Sequence, residues 1–500
     1  MTEIFWRHLL VFPILIPLAG AIPAAVLHGR RAAWLSLVFS LLTLAADSAV
    51  LYAVSSARPL IYEVGGWASP YGVVLVADRF GATLALIATL IAAASAIHTL
   101  VAKVEASTRR LYHPLFLILV MALSGVFLTG DLFNLYVFME LVILSSVALV
   151  AMANRSMSAE VTFKYAVLAA LGSALMLASV ALVYAGTGTL NMADIAQRVR
   201  SEPPASFWPV TAAIMLVAFL IKGALVPFHF WQPDAHSTAP APVSAMLSGV
   251  LVKVGVYGIA RMMTLLFPES PVFILLVPLG AISALFGGVA ALVTADFKRV
   301  LAYSTISNVG LILLALGWGG QAGFTAAIVH IINHALIKGG LFLAGGYVVE
   351  RADEHEIARL GGIARLTPVG TAAFGLGALA LAGLPPLSGF VSKLTLFQAG
   401  LAAGDAVFLL AAVVASALGI AYSVRAFVLV YWGETPERLS ERWHHTEAEA
   451  GRPIAPLGLA LFVLTLGLWP APLVALSTST AAELGQPTIY MAAVLGDAMR

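Results

Sequence analysis

Apolar stretches of about twenty residues, each long enough to cross roughly 30 Å of hydrocarbon as a helix, recur from one end of the chain to the other. Short polar segments separate them. Their approximate centres are Pro17, Thr43, Ile87, Met121, Leu141, Ser173, Val217, Lys253, Val277, Leu311, His334, Gly383, Val414 and Leu461. This pattern predicts an all-α membrane protein with about fourteen transmembrane helices. The longest polar interruptions, 187–206, 350–367 and 433–453, are too short for domains, so residues 1–500 are expected to form a single polytopic membrane domain. Residues 9–27 are followed at once by similar stretches and are read as a first span, not as a cleaved targeting peptide.

Two predicted spans are interrupted by proline: "LIKGALVPFHFWQP" around Pro227 and "LAGLPPLSGFVSK" around Pro385 and Pro386. Proline lacks the backbone donor and clashes with the preceding turn, and non-helical backbone at membrane depth survives only when buried or facing water. The two are the seventh and twelfth spans, five apart. Matched breaks in two halves point to an internal repeat of transporter type, spans four to eight (about 111–266) and nine to thirteen (about 271–431). An ordinary proline kink is the alternative for either span taken alone.

Composition agrees with the pattern: 61% of residues are hydrophobic, 10% are charged, and mean hydropathy is +0.97. A net charge of +2 and the lack of a basic run among aromatics argue against nucleic-acid partners. No phosphate-loop motif is present, so ATP is not expected as a direct energy source. With no cysteine there are no disulfides, thiolate metal sites or iron–sulfur ligands, and neither cofactor nor metal is expected. Basic residues set the expected orientation. With the N-terminus outside, inner loops hold Arg30, Arg31, Lys103, Arg109, Arg110, Arg155, Lys298, Arg299, Arg351, Arg359, Arg365, Arg438, Arg442 and Arg452; outer segments hold Arg7, Arg58, Arg198, Arg200 and Arg500. Fourteen against five favours both termini outside.

Five spans carry side chains that lipid does not tolerate: Glu140, Lys222, Lys253, the row His330, His334 and Lys338, and Lys393. A charge at a helix centre costs about 2.5–3.5 kcal/mol on the insertion scale, so such groups normally face protein or water. Snorkelling or a buried structural ion pair is the plain alternative for any one of them. Four residues advance a helix by about 400°, so His330, His334 and Lys338 make one polar stripe roughly 12 Å long. Imidazoles titrate near neutral pH, and the stripe suits proton passage. Buried histidines satisfied by hydroxyls are one alternative; metal or haem ligation is another, His at i and i+4 suiting zinc, but no H-E-x-x-H glutamate or cysteine accompanies the pair. Glu140 and Lys222 have the signs for a buried pair, which acts as a switch because a nearby cation favours the ionised carboxylate. Snorkelling is expected for Lys164, Arg425, Asp78, Arg79 and Arg261. His229, Asp234 and His236 suit either a water entrance or a plain loop, and Thr305, Ser307 and Asn308 either bridges to the stripe or helix packing.

The runs "GDLFNLYVFMELVILSS" (130–146), "FLIKGALVPFHFWQPDAHSTAPAPVSAMLSGVLVKVGVYG" (219–258), "DFKRVLAYSTISNVG" (296–310), "HIINHALIKGGLFL" (330–343) and "AGLPPLSGFVSK" (382–393) resemble the proton-translocating antiporter subunits. That family spans Mrp-type cation/proton antiporters, the membrane arm of complex I and membrane-bound hydrogenases. The resemblance is greatest to the D subunit of Mrp antiporters. It implies fourteen helices, two inverted five-helix repeats and broken helices seven and twelve. It also implies roles: Glu140 and Lys222 as a pair, Lys253 as a bridging lysine, His330, His334 and Lys338 as the central relay, and Lys393 as the terminal lysine. One complex I paralogue carries glutamate at the Lys393 position, and the largest paralogues have a long C-terminal helical extension that is not expected here. The expected function is therefore a proton-conducting subunit of a multisubunit Na+/proton antiporter in a prokaryotic cell membrane, a secondary transporter and not an enzyme. Its expected partners are other subunits, protons, Na+ and lipid. The rivals are an antiporter-like subunit of a redox-driven complex and a purely structural scaffold.

Overall fold

The computed structural model describes residues 8–56, 59–102, 104–153, 157–201, 206–447 and 452–496, with the backbone alone for 444–447. Lys103, Arg155, Arg7, Arg58 and Arg500 lie outside the described residues. The chain is 83% helical. In order come α1 (Phe12–Val26), α2 (Arg30–Ser56), the strands β1 (Leu60–Glu63) and β2 (Val74–Ala77), α3 (Arg79–Ala102), α4 (Tyr112–Leu128), α5 (Leu132–Ala151) and α6 (Ser158–Thr187). Then follow α7 (Trp208–Lys222), α8 (Trp231–Thr238), α9 (Ala241–Leu266), α10 (Leu276–Val293), α11 (Phe297–Trp318) and α12 (Gly320–Ala352). The chain continues through α13 (Pro368–Ala382), α14 (Ser388–Ala402), α15 (Ala406–Tyr431), α16 (Ile454–Leu468), α17 (Ala471–Leu484) and α18 (Pro487–Leu495).

Ten helices among the described residues are long and apolar enough to cross a bilayer, and the α16/α17 pair makes an eleventh, bent by 82°. The apolar helices α4, α7 and α13 are shorter. Every predicted centre falls on one of these elements except Gly383, which caps α13 at its break. The antiparallel hairpin β1/β2, which pairs Leu60 with Ala77 and Glu63 with Val74, was not expected. Nor was the bend before Pro470, which follows from the same loss of a backbone donor as the other breaks.

Both expected breaks are present. The helix stops at Lys222 and resumes at Trp231; it stops again at Ala382 and resumes at Ser388. Breaks expose carbonyls that lipid cannot satisfy. Here side chains take them: Trp231 Nε1 donates to Ile221 O (3.0 Å), and Lys393 Nζ to Ala382 O (2.7 Å). Gly383 turns the chain at φ +81°, a conformation that side chains other than glycine's rarely adopt. Gly389 lets α14 cross the end of α13 closely, since a Cβ there would lie 1.8 Å from Ala380 O. Gly389→Ala is therefore expected to destabilise the fold by about 1–3 kcal/mol, read as a lower unfolding temperature of the purified protein. An unchanged temperature would contradict this packing.

Loops meet on two faces. On one, Lys298 Nζ reaches Ala239 O (2.5 Å), Asp296 bridges to Glu356, Gly362 N bonds Trp432 O (3.1 Å) and Arg442 pairs with Asp353 (2.8 Å). On the other, Gly130 N bonds Val74 O (2.9 Å), Leu132 N bonds Leu190 O (2.8 Å) and Arg200 Nη2 caps Thr264 O (2.6 Å). Segments assigned to one side by their basic residues thus touch one another.

Candidate functional site

The costly lysines and histidines of the spans are buried: exposure is 6% for Lys222, 1% for Lys253, 4% for His330, 2% for His334, 0% for Lys338 and 8% for Lys393. Glu140 is the exception, with intermediate burial. Among the described residues no carboxylate forms an ion pair with any of these four lysines; carbonyl and hydroxyl dipoles receive them instead.

At the first break, Lys222 is the last residue of α7, and its Nζ donates to Ala169 O (3.1 Å) and Ser173 Oγ (2.9 Å) on α6. Glu140 on α5 is half-buried and its Oε1 has no partner. The expected pair makes no direct ion pair here: the ammonium rests on α6, although Glu140 is near enough to act on it electrostatically. A cavity of about 20 Å³ lies beside Lys222, lined by Met139, Tyr165, Trp231 and Val254 among others, room for about one water.

A π turn over Leu247–Leu251 widens α9 just before Lys253, a local form that recurs at functional sites. Lys253 Nζ folds back to Ser248 O (2.6 Å), and Ser248 Oγ meets Thr305 Oγ1 on α11 at 2.7 Å. Thr305 therefore serves Ser248 and not the histidines, and Ser307 bonds Ala284 O (2.8 Å) as helix packing.

On α12 the three expected side chains share one face. The rings of His330 and His334 are nearly parallel, with centroids 6.3 Å apart. His330 is held from both sides, Nδ1 by Ser392 Oγ (2.7 Å) on α14 and Nε2 by Asn308 Oδ1 (3.2 Å) on α11. Asn308 Nδ2 continues to Ser304 O (2.7 Å) and Tyr422 OH (3.4 Å), and Lys338 Nζ donates to Leu301 O (3.0 Å) and Ser304 Oγ. His334 has no hydrogen-bond partner on either ring nitrogen, and the charged groups facing it are Lys253 and Lys338. A cavity of about 10 Å³ is bounded by Asn308, His330, His334, Ser392 and Lys393, the size of a single water.

His236, on α8, is fully buried, and it faces Lys253, Lys298 and Lys338. The broken seventh span thus brings a histidine to the lysine row. Asp234, two residues earlier, pairs with Arg299 (2.5 Å) at the rim of an open cavity of about 420 Å³ lined by Ser237, Thr238 and Asp296. Ser392 and Tyr422 escaped sequence reasoning, because buried hydroxyls are common in helices. Lys164 is half-exposed beside Glu160 (2.5 Å), as snorkelling predicts. Asp78 and Arg261 do not snorkel: they form a buried ion pair, because each lies where the other can satisfy it.

A polytopic helical protein with two broken spans and a buried row of lysines and histidines is a membrane transporter by architecture. The chain belongs to the family described as NADH:quinone oxidoreductase/Mrp antiporter, whose model matches residues 129–419. It is 32% identical to the Na(+)/H(+) antiporter D subunit of Bacillus subtilis, over 98% of this chain and 99% of that one. It is 35% identical to the NADH-quinone oxidoreductase subunit N of Desulforudis audaxviator, over 90% of each. Its fold matches a chain of the Mrp complex from a Dietzia species with a TM-score of 0.90, at 30% identity, covering 98% of this chain and 100% of that one. It also matches a chain of the membrane-bound sulfane sulfur reductase, an archaeal respiratory membrane complex, with a TM-score of 0.86 at 30% identity and the same coverage.

Proposed function

We propose that this chain is the proton-conducting subunit of a multisubunit Na+/proton antiporter in a prokaryotic cell membrane, built as fourteen spans with inverted repeats over about 111–266 and 271–431. The carrying observation is that Lys253, His330, His334, Lys338 and Lys393 are enclosed by one chain, with Ser392, Asn308 and Ser304 linking α14, α12 and α11 by hydrogen bonds. Protons enter past Asp234 and His236, pass along this row at mid-membrane and leave by Lys393. Glu140 and Lys222 act as the gate. The ammonium held by Ser173, within the field of Glu140 yet without a direct ion pair, supports that reading. Loops rich in arginine and lysine meet on one face, which supports both termini outside. Partner subunits, protons, Na+ and lipid are its interactors, and no bond of a substrate is made or broken.

The test is Glu140→Gln, which keeps shape and removes the titratable group. Proton-coupled Na+ efflux from membrane vesicles is expected to fall at least about tenfold while the complex still assembles. Unchanged efflux would leave a structural scaffold as the better reading. The likeness to subunit N and to a sulfur-reducing respiratory complex favours a second reading, a proton-pumping arm of a redox machine using the same row. Co-purification with iron–sulfur proteins distinguishes it; small membrane subunits alone support the antiporter.

A further inference from the structure

Outside the relay, α2 carries a second buried polar row: Ser36, Ser40, Thr43 and Asp47 recur at helical spacing on its inward face. Its environment is unlike that of the relay. Asp47 is 1% exposed, and neither carboxylate oxygen has a hydrogen-bond partner. Ser40 Oγ on α2, Thr83 Oγ1 on α3, and His113 Nε2 and Ser124 Oγ on α4 are buried and unpartnered as well. Of these, Ser124 is the one that stands at the level of Asp47, and a buried carboxylate left open beside a buried hydroxyl calls for a water or an ion.

Their positions converge. Ser36 Oγ meets His113 Nδ1 at 2.9 Å, which fixes the register of α2 and α4, two spans that run in the same direction. Asp47 lies eleven residues beyond Ser36, and Ser124 eleven beyond His113. Eleven residues are three helical turns within about 20°, a rise of about 16 Å, so both side chains return to the facing surfaces at one level. Thr89 of α3 faces the same carboxylate. Its hydroxyl donates to Ala85 O and Leu86 O (both 3.1 Å), and that of Thr43 to Phe39 O (2.7 Å). A threonine hydroxyl so placed can either donate to the carboxylate or turn a lone pair to a bound cation.

Among the described residues no counter-charge is built in: α1 has no titratable residue; α3 carries only Arg79 at one end and His98 towards the other; α4 carries Tyr112 and His113 at its start; and besides Asp47, α2 carries Arg30 and Arg31 at its start and the exposed Tyr52 near its end. A lone buried carboxylate is stable only when it holds a proton or a cation. The surrounding donors are all oxygen and carry a single negative charge, a set suited to a small hard monovalent cation and not to a transition metal.

We propose that Asp47, with Thr43, Thr89 and Ser124, forms a site that exchanges one proton for one Na+. Sodium binds the carboxylate as its proton leaves to the solvent, so charge balances. The site lies on α2–α4, outside residues 129–419, and does not depend on the relay reading.

Infrared difference spectra of the purified assembled complex, Na+ against choline at equal ionic strength, test this. The wild type is expected to lose a protonated-carboxyl band, gain a carboxylate band and release a proton on adding Na+. Asp47→Asn should lack that response, and Thr89→Val should shift it several-fold to higher Na+ while still assembling. Lys338→Ala, which breaks the relay, should leave the bands in place. Bands that persist in Asp47→Asn, that vanish in Lys338→Ala, or that are missing from the wild type, as for a seam filled by water, would overturn the proposal.

Discussion

Lys338→Ala is expected to lower proton-coupled Na+ efflux from vesicles by on the order of 100-fold, the scale of losing one positioned proton-transfer group, while the complex still assembles. Lys338 is fully buried and on the proposed row, one turn beyond His334. Its ammonium rests on Leu301 O and Ser304 Oγ, and Ser304 O in turn receives the amide of Asn308 that holds His330. Removing it leaves a gap between the lysine and histidine ends. The stability effect is expected to be small, because losing a hydrogen bond and relieving a buried charge oppose each other. Lys338→Arg separates two meanings of the residue. A guanidinium keeps the charge yet does not give up its proton, so the relay predicts that arginine fails like alanine. Transport that survives in the arginine variant would mean that Lys338 supplies field only.

Much of this arrangement was legible because it is local. A four-residue spacing fixes one face of a helix, so the His330–His334–Lys338 stripe followed from counting, and Pro227, Pro385 and Pro386 fixed the breaks through their missing donors. What joins helices was not legible. Whether Lys222 points at Glu140 or at Ser173 depends on helix rotation and on side-chain rotamers, which no periodicity encodes. The same limit hid Ser392 and Tyr422, since a hydroxyl in an apolar helix usually bonds its own backbone and gives no signal. β2 reads "VLVA", apolar throughout, and is indistinguishable by pattern from a piece of buried helix. Asp47 escaped for a different reason: one short acid in "LAADSAV" barely lowers local hydropathy. The spacing of Ser36, Ser40, Thr43 and Asp47 is the signal that could have found it.

The expectation that Asp78 and Arg261 reach for the interface failed in a way that carries its own prediction. Arg261 Nη1 and Nη2 meet Asp78 Oδ2 and Oδ1 at 2.6 and 2.7 Å, a two-toothed contact with both side chains at most 4% exposed. The guanidinium lies over the rings of Tyr257 (5.0 Å), Tyr490 (5.3 Å) and Phe80 (5.6 Å), while Asp78 Oδ1 also accepts from Gly81 N (2.8 Å) at the start of α3. One ion pair therefore ties the β-hairpin and α3 to the end of α9 and to α18. Asp78→Ala strands a buried cation and is expected to destabilise the protein by about 3–5 kcal/mol, enough to deplete it from membranes. Replacing both partners removes the stranded charge, so Asp78→Leu with Arg261→Met should recover most of the loss in unfolding temperature. A double variant no better than Asp78→Ala would mean that the geometry at this junction, and not charge compensation, is what the pair provides.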